Sequence, residues 1–150
     1  MAQRPRVPRA DGQSLVEFAL VFPIFLLLLF GLLDIGRFVY SANALNQAAR
    51  EGARFGSVAA WSETCKGSRE TCIEAETKNR LAAVPGATAT AGCSRYLTTL
   101  GRWVGATGGC RTNDLLAVEV KAKFQILTPI FGQLLNGVVI EGYSQVTVNQ

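Results

Sequence analysis

The spacing of hydrophobic and polar positions changes character along the chain, and each change predicts an element. Residues 15–33, LVEFALVFPIFLLLLFGLL, hold one charged side chain in nineteen positions. As a helix rising about 1.5 Å per residue, this run approaches the roughly 30 Å hydrocarbon core of a bilayer. It predicts a membrane-spanning helix. Pro23 does not veto it, because neighbours and local adjustments satisfy the freed carbonyl in a bilayer helix, at the cost of a kink. From Asp34 the pattern turns amphipathic: Ile35, Phe38, Ala42, Leu45, Ala49, Gly52 and Phe55 recur three and four apart, so the helix continues beyond the run. Its stripe is small in side chain at Ala48, Ala49, Gly52, Ala53 and Gly56. Another backbone can approach closely there, from a neighbouring chain or from this chain's own C-terminal part.

Further on, Ile73, Thr77, Leu81 and Val84 repeat at helical spacing and predict a second helix over 70–83, ended by Pro85 and Gly86. GATATAGC (86–93) is strand-like but short, and the glycine-rich GRWVGATGGC (101–110) reads as a loop held by Cys110. Residues 115–126 alternate strictly, with Val118, Val120, Ala122, Phe124 and Ile126 on one face and Glu119, Lys121, Lys123 and Gln125 on the other; that is a half-buried strand. TPIFGQLLNG (128–137) reads as a connection before a last strand over 138–148. The fold class is therefore α+β: a long N-terminal transmembrane and amphipathic helix (13–60), then a small antiparallel sheet domain with a second helix (61–150).

Charge sets an orientation. Arg4, Arg6 and Arg9 precede the apolar run, whereas only Arg37 and Arg50 follow it within about twenty residues, so the positive-inside rule keeps the N-terminus cytoplasmic and exports the rest. All four cysteines (Cys65, Cys72, Cys93, Cys110) fall on the exported side, which fits an oxidising compartment. Their gaps lack the short knuckle of a four-thiolate zinc site, which favours disulfides over metal. Three pairings are open; Cys65 with Cys72 and Cys93 with Cys110 would close the shortest loops. A secretory signal peptide is the rival for the run itself. The run is long for that role, carries an acid near its start, and is followed by LLDIGRF, a poor cleavage site.

The 150 residues carry a net charge of +4 without a basic stripe, and no histidine. Nucleic acid is not an expected partner, and the commonest general base and zinc ligand are missing, so neither an enzyme nor a cofactor is expected. Asp114 and Glu119 read as solvated surface charges, Lys121 and Lys123 as parts of a salt-bridged face. GARFG and GATGG do not satisfy a phosphate-loop template.

Glu17 remains to be explained. An acid near the middle of a spanning helix costs about 2.5 to 3.5 kcal/mol, so something must offset it or the side chain must snorkel to the headgroups. A basic leader ending in Gly12, then QSLVE with the acid five residues after that glycine, then an apolar helix, resembles the type IV prepilin signal. The resemblance implies that a prepilin peptidase removes residues 1–12 by cutting between Gly12 and Gln13. Such a cut would create a cationic amine at Gln13, which Glu17 of an adjacent subunit could meet in a charge-assisted hydrogen bond that fixes axial register.

Together, G-QSLVEFALVFP, LLDIGRF and NQAAREGARFG make the chain similar to the TadE-like pilins, or pseudopilins, of the tight-adherence (Flp-type) pilus and secretion system. The likeness covers Gly12 to about Gly56. It implies a bacterial inner-membrane protein acting as a minor pilin or assembly factor, whose partners are the membrane, the peptidase, other pilin subunits and the assembly machinery. Phe18 after Glu17, where the major Flp pilin has tyrosine, and the sizeable C-terminal domain argue against the major subunit. The alternative is an uncleaved single-pass anchor presenting an envelope binding domain.

Overall fold

The computed structural model describes residues 11–58, 67–106, 109–128 and 137–149. It begins with α1, Asp11–Ser57, 47 residues without a break and with Pro23 inside, about 70 Å long at 1.5 Å per residue. Two sequence regimes share this one rod. Over 12–33 the side chains are exposed except for a few half-buried positions. Beyond Ala44 one face is buried, at Leu45, Ala48, Ala49, Gly52, Ala53 and Gly56, the i, i+3, i+4, i+7 series of a helix laid against a core.

The second helix, α2 (Arg69–Arg80), starts where Ser68, in extended conformation, accepts a hydrogen bond on its hydroxyl from the Thr71 N–H. Glu70 lies in its first turn and Lys78 and Arg80 in its last, matching the helix dipole. It ends three residues before the expected 83. Leu81 donates to the Lys78 carbonyl and Val84 to that of Leu81, so the approach to Pro85 is a pair of turns rather than more helix.

Four strands follow: β1 (Thr88–Leu97), β2 (Arg102–Gly105), β3 (Leu115–Lys123) and β4 (Val139–Thr147). They form one antiparallel sheet in the order β2-β1-β3-β4. The strand expected over 115–126 is realised as far as Lys123, with Leu116, Val118, Val120 and Ala122 buried, and residues 124–126 follow it outside the sheet. The loop expected over 101–110 is corrected in part, because Arg102–Gly105 is an edge strand paired with Ser94–Leu97. Its four residues are too short for alternation to register, and the flanking glycines dominate the pattern. Gly101, at φ 60°, makes the tight turn that feeds it. The expected connection over 128–137 lies mostly outside the described residues.

Both helices cover the same face of the sheet. The core is shared among all of them: Leu45, Ala49 and Ala53 from α1, Ile73 from α2, and Leu116, Val118, Val120, Ile140 and Val148 from the sheet side. Each large aliphatic side chain among these contributes about 1.5–3 kcal/mol by leaving water. The helix lies very close to β4, and the reason is compositional. A Cβ on Gly142 would sit 2.6 Å from the carbonyl carbon of Leu45, so the absence of a side chain there sets the helix–sheet distance.

Candidate functional site

Gly12, Gln13 and Glu17 lie in the first turns of α1, all exposed. The Gln13 side-chain amide donates to Glu17 Oε1 at 3.2 Å, the pairing expected one turn apart. From Leu15 to Leu33 the surface is apolar apart from Glu17: Leu15, Phe18, Leu20, Phe25 and Leu28 are each more than half exposed, and Phe18 stacks on Phe22 with centroids 5.2 Å apart. A monomer in water does not leave such a surface bare. The helix is long and apolar enough to cross a membrane, and very little of its most apolar stretch is buried, which sets it apart from the core helix of a soluble protein.

The small stripe has a different destination. Ala48, Ala49 and Ala53 are buried against the chain's own α2 and sheet. A Cβ on Gly52 would meet the Thr77 side chain, and one on Gly56 would meet Ile73 and Leu116. Of the two readings of this stripe, the described residues therefore display the intramolecular one. The face of α1 left bare for another molecule is the apolar one before residue 40.

Where α1 leaves its apolar run, Asp34 is buried although it directly follows Leu33. Its carboxylate accepts from the backbone N–H of Leu127 and of Thr128, each at 3.0 Å, and from the Thr128 hydroxyl. Arg37 lies 3.6 Å away, its guanidinium over the Phe124 ring, while Phe38 meets Phe124 edge-on. This clasp ties the segment after β3 to the helix at the point where the apolar run ends. Sequence reading missed it. The available signal was an acid placed immediately after a long apolar run, where a solvated charge has no reason to be preferred.

Asp114 is also buried, which corrects its reading as a solvated charge. Arg95 from β1 grips both carboxylate oxygens, at 2.8 and 2.6 Å, and the Arg111 N–H adds a third donor at 2.8 Å. The Arg95 hydrogen bonds hold the Asp114 carboxyl below its usual range against the opposing effect of burial. The turn that carries it needs Asn113 at φ 69°, a conformation asparagine tolerates better than most residues. Lys121 bonds Glu119 and Glu141 on the outer face, as expected of a salt-bridged surface.

Cys93 and Cys110 form a disulfide with a Cα–Cα distance of 5.4 Å. Cys72 is buried and disulfide-bonded; Cys65 lies outside the described residues. Among the described residues, Glu70, Cys93 and Cys110 come close enough together to hold an ion. The two sulfurs are bonded to each other, however, and offer no thiolate, and the Cys110 sulfur simply lies 3.3 Å from Glu70 Oε1.

These features define a class: an α+β head clasped to the distal half of one long helix whose proximal half is bare, apolar and of membrane-crossing length. Residues 12–54 match the family model described as TadE-like protein, and over those residues the chain is similar to that family. Everything from residue 55 onward, α2 as well as the sheet, lies outside the match. No curated protein and no solved structure matches the chain.

Proposed function

We propose that the chain is a minor pilin or assembly pseudopilin of a Tad/Flp-type pilus. A prepilin peptidase removes residues 1–12, the N-terminus faces the cytoplasm, and the head is exported. The observation that carries this reading is a single carboxylate, Glu17, set four residues after Gln13 in an otherwise apolar, unburied half-helix that belongs to the TadE-like stretch. Once Gln13 carries a free amine, Glu17 of a neighbouring subunit has a cation at its own depth, and two poorly tolerated charges become one pair.

Packing supports a division of labour. The small stripe at Ala48, Ala49, Gly52, Ala53 and Gly56 is occupied by the head, so assembly runs through the apolar surface before residue 40. The protein's task is to be cut and packed, not to catalyse.

Gly12 and Glu17 variants separate the two steps. Gly12→Leu blocks leader removal and therefore everything after it. Glu17→Gln is processed normally but fails to support pilus assembly. Normal pili from both variants would refute the assignment; normal pili from Glu17→Gln alone would remove the charge pair and leave the processing step standing.

A further inference from the structure

Two grooves flank the contact between Arg37 and Phe124, and they differ in chemistry. One, about 380 Å³, is lined almost wholly by apolar surface from Gly31, Ile35 and Phe38 of α1 and Phe124, Ile126 and Val138 of the head, with the hydrogen-bonded pair Asp34 and Thr128 also in its wall. The other, also about 380 Å³, is lined by Arg37, Tyr40, Ser41, Lys123 and Gln125 with Val84 and Pro85. Each lies within the size range of small-ligand sites.

Their order along α1 is the informative part. The apolar groove straddles the end of the apolar run, whereas the helix residues of the cationic groove lie about five positions further on, roughly 7 Å at 1.5 Å per residue. A bilayer presents the same sequence of chemistries at its surface: acyl chain, then phosphate. Arg37 stands on the border between the grooves, and Tyr40 is an exposed aromatic at that level, a residue type enriched at membrane interfaces. The cationic side is only partly answered: Arg37 lies 3.6 Å from Asp34, at the edge of ion-pair range. Lys121 takes both nearby carboxylates, Glu119 and Glu141, and Lys123 makes no ion pair among the described residues.

We propose that the two grooves form one site for an anionic phospholipid of the membrane that α1 crosses, with an acyl chain in the apolar groove and the phosphate between Arg37 and Lys123. This rests on reading α1 as membrane-spanning. A second copy's apolar helix suits the first groove but not the second, since its one carboxylate over residues 13–33, Glu17, lies about 30 Å before the level of Arg37 along a helix crossing the same membrane. A phospholipid supplies an apolar chain and an anion in the required order. Bound there, it would fix the height and tilt of the head relative to the membrane surface through the clasp at Asp34.

The test uses the full chain. Flotation with phosphatidylcholine vesicles first reports on the anchor. Native mass spectrometry from micelles then compares retention of phosphatidylglycerol with that of phosphatidylcholine. The expected result is one phosphatidylglycerol per chain, surviving activation that strips phosphatidylcholine. Lys123→Gln removes the anion partner, and Gly31→Leu fills the apolar groove from a position whose Cβ direction is open; each loses the adduct. Lys78→Gln, on α2 away from both grooves, keeps it. Equal retention of the two lipids, or an adduct that survives both groove variants, overturns the proposal. A chain that floats but holds no phosphatidylglycerol overturns the site and leaves the anchor intact. One that does not float overturns the anchor and the site with it. Cross-linking of two copies through position 126 would assign the groove to a second chain and likewise overturn it.

Discussion

Gly142→Ala is the most direct probe of how the head is held to the helix. The added Cβ would lie 2.6 Å from the Leu45 carbonyl carbon, 2.7 Å from its oxygen and 2.9 Å from the Asn46 nitrogen. All three are backbone atoms of α1, so no side chain can swing away. Restoring an ordinary carbon contact of about 3.5 Å requires α1 and β4 to part by about 0.9 Å, and a radial gap of that size forfeits a quarter to a half of each dispersion contact it opens. The affected contacts include Leu45 and Ala49, both fully buried, and Ile140. Overpacking of this kind costs about 1–3 kcal/mol, and the rigidity of the obstacle places Gly142→Ala toward the upper end. The assay is urea unfolding of the head in the full chain held in micelles, followed by tryptophan fluorescence. Gly92→Ala is the control, since Gly92 lies in β1 with nothing within 4 Å of its Cβ direction, and it should change stability by under about 0.5 kcal/mol. If Gly142→Ala were as mild as Gly92→Ala, the close approach of α1 to β4 would not be the feature that sets the core.

Acid should weaken the head partly through Asp114. Its carboxyl is held below the ordinary value of 3.8 in the folded protein, so its contribution is fully present above that pH and is lost as pH falls toward the folded value. The stability gap between wild type and Asp114→Asn, measured by unfolding at stepped pH, should be constant near neutrality and shrink below about pH 4; a gap that grows on acidification contradicts the assignment. The disulfide between Cys93 and Cys110, 17 residues apart, restricts the unfolded chain by about 3 kcal/mol in the loop-entropy account. Replacing both cysteines with alanine should lower the urea midpoint accordingly, while an unchanged midpoint would mean that the bond adds nothing to the head.

Periodicity made most of the architecture legible. The apolar run, the amphipathic continuation and the strict alternation around Val118 and Val120 each carry a long, single-period signal, and each is an element of the fold, the strand stopping at Lys123 rather than residue 126. Short or competing signals failed. Arg102–Gly105 pairs because Tyr96 and Trp103 meet across the strands, a tertiary fact that four residues cannot announce. Asp114 was misread because burial of a charge depends on its partner, and Arg95 lies nineteen residues away in sequence. Asp34 meets its partners across more than ninety residues. The small stripe was legible as a place for close packing, but a stripe does not name what packs on it; here Thr77, Ile73 and Leu116 do. The reading of Gly12, Gln13 and Glu17 is of another kind. It rests on local order along the chain, and the fold adds nothing to it.

The central claim is that Glu17 is tolerated in an apolar helix because a newly exposed amine answers its charge. The most direct measurement is the intact mass of the chain recovered from cells with an active prepilin peptidase. The account predicts a product that lacks residues 1–12 and begins at Gln13. A chain that still carries Arg4, Arg6 and Arg9 ahead of Gly12 would contradict it, because without a free amine at Gln13 the carboxylate has no such partner.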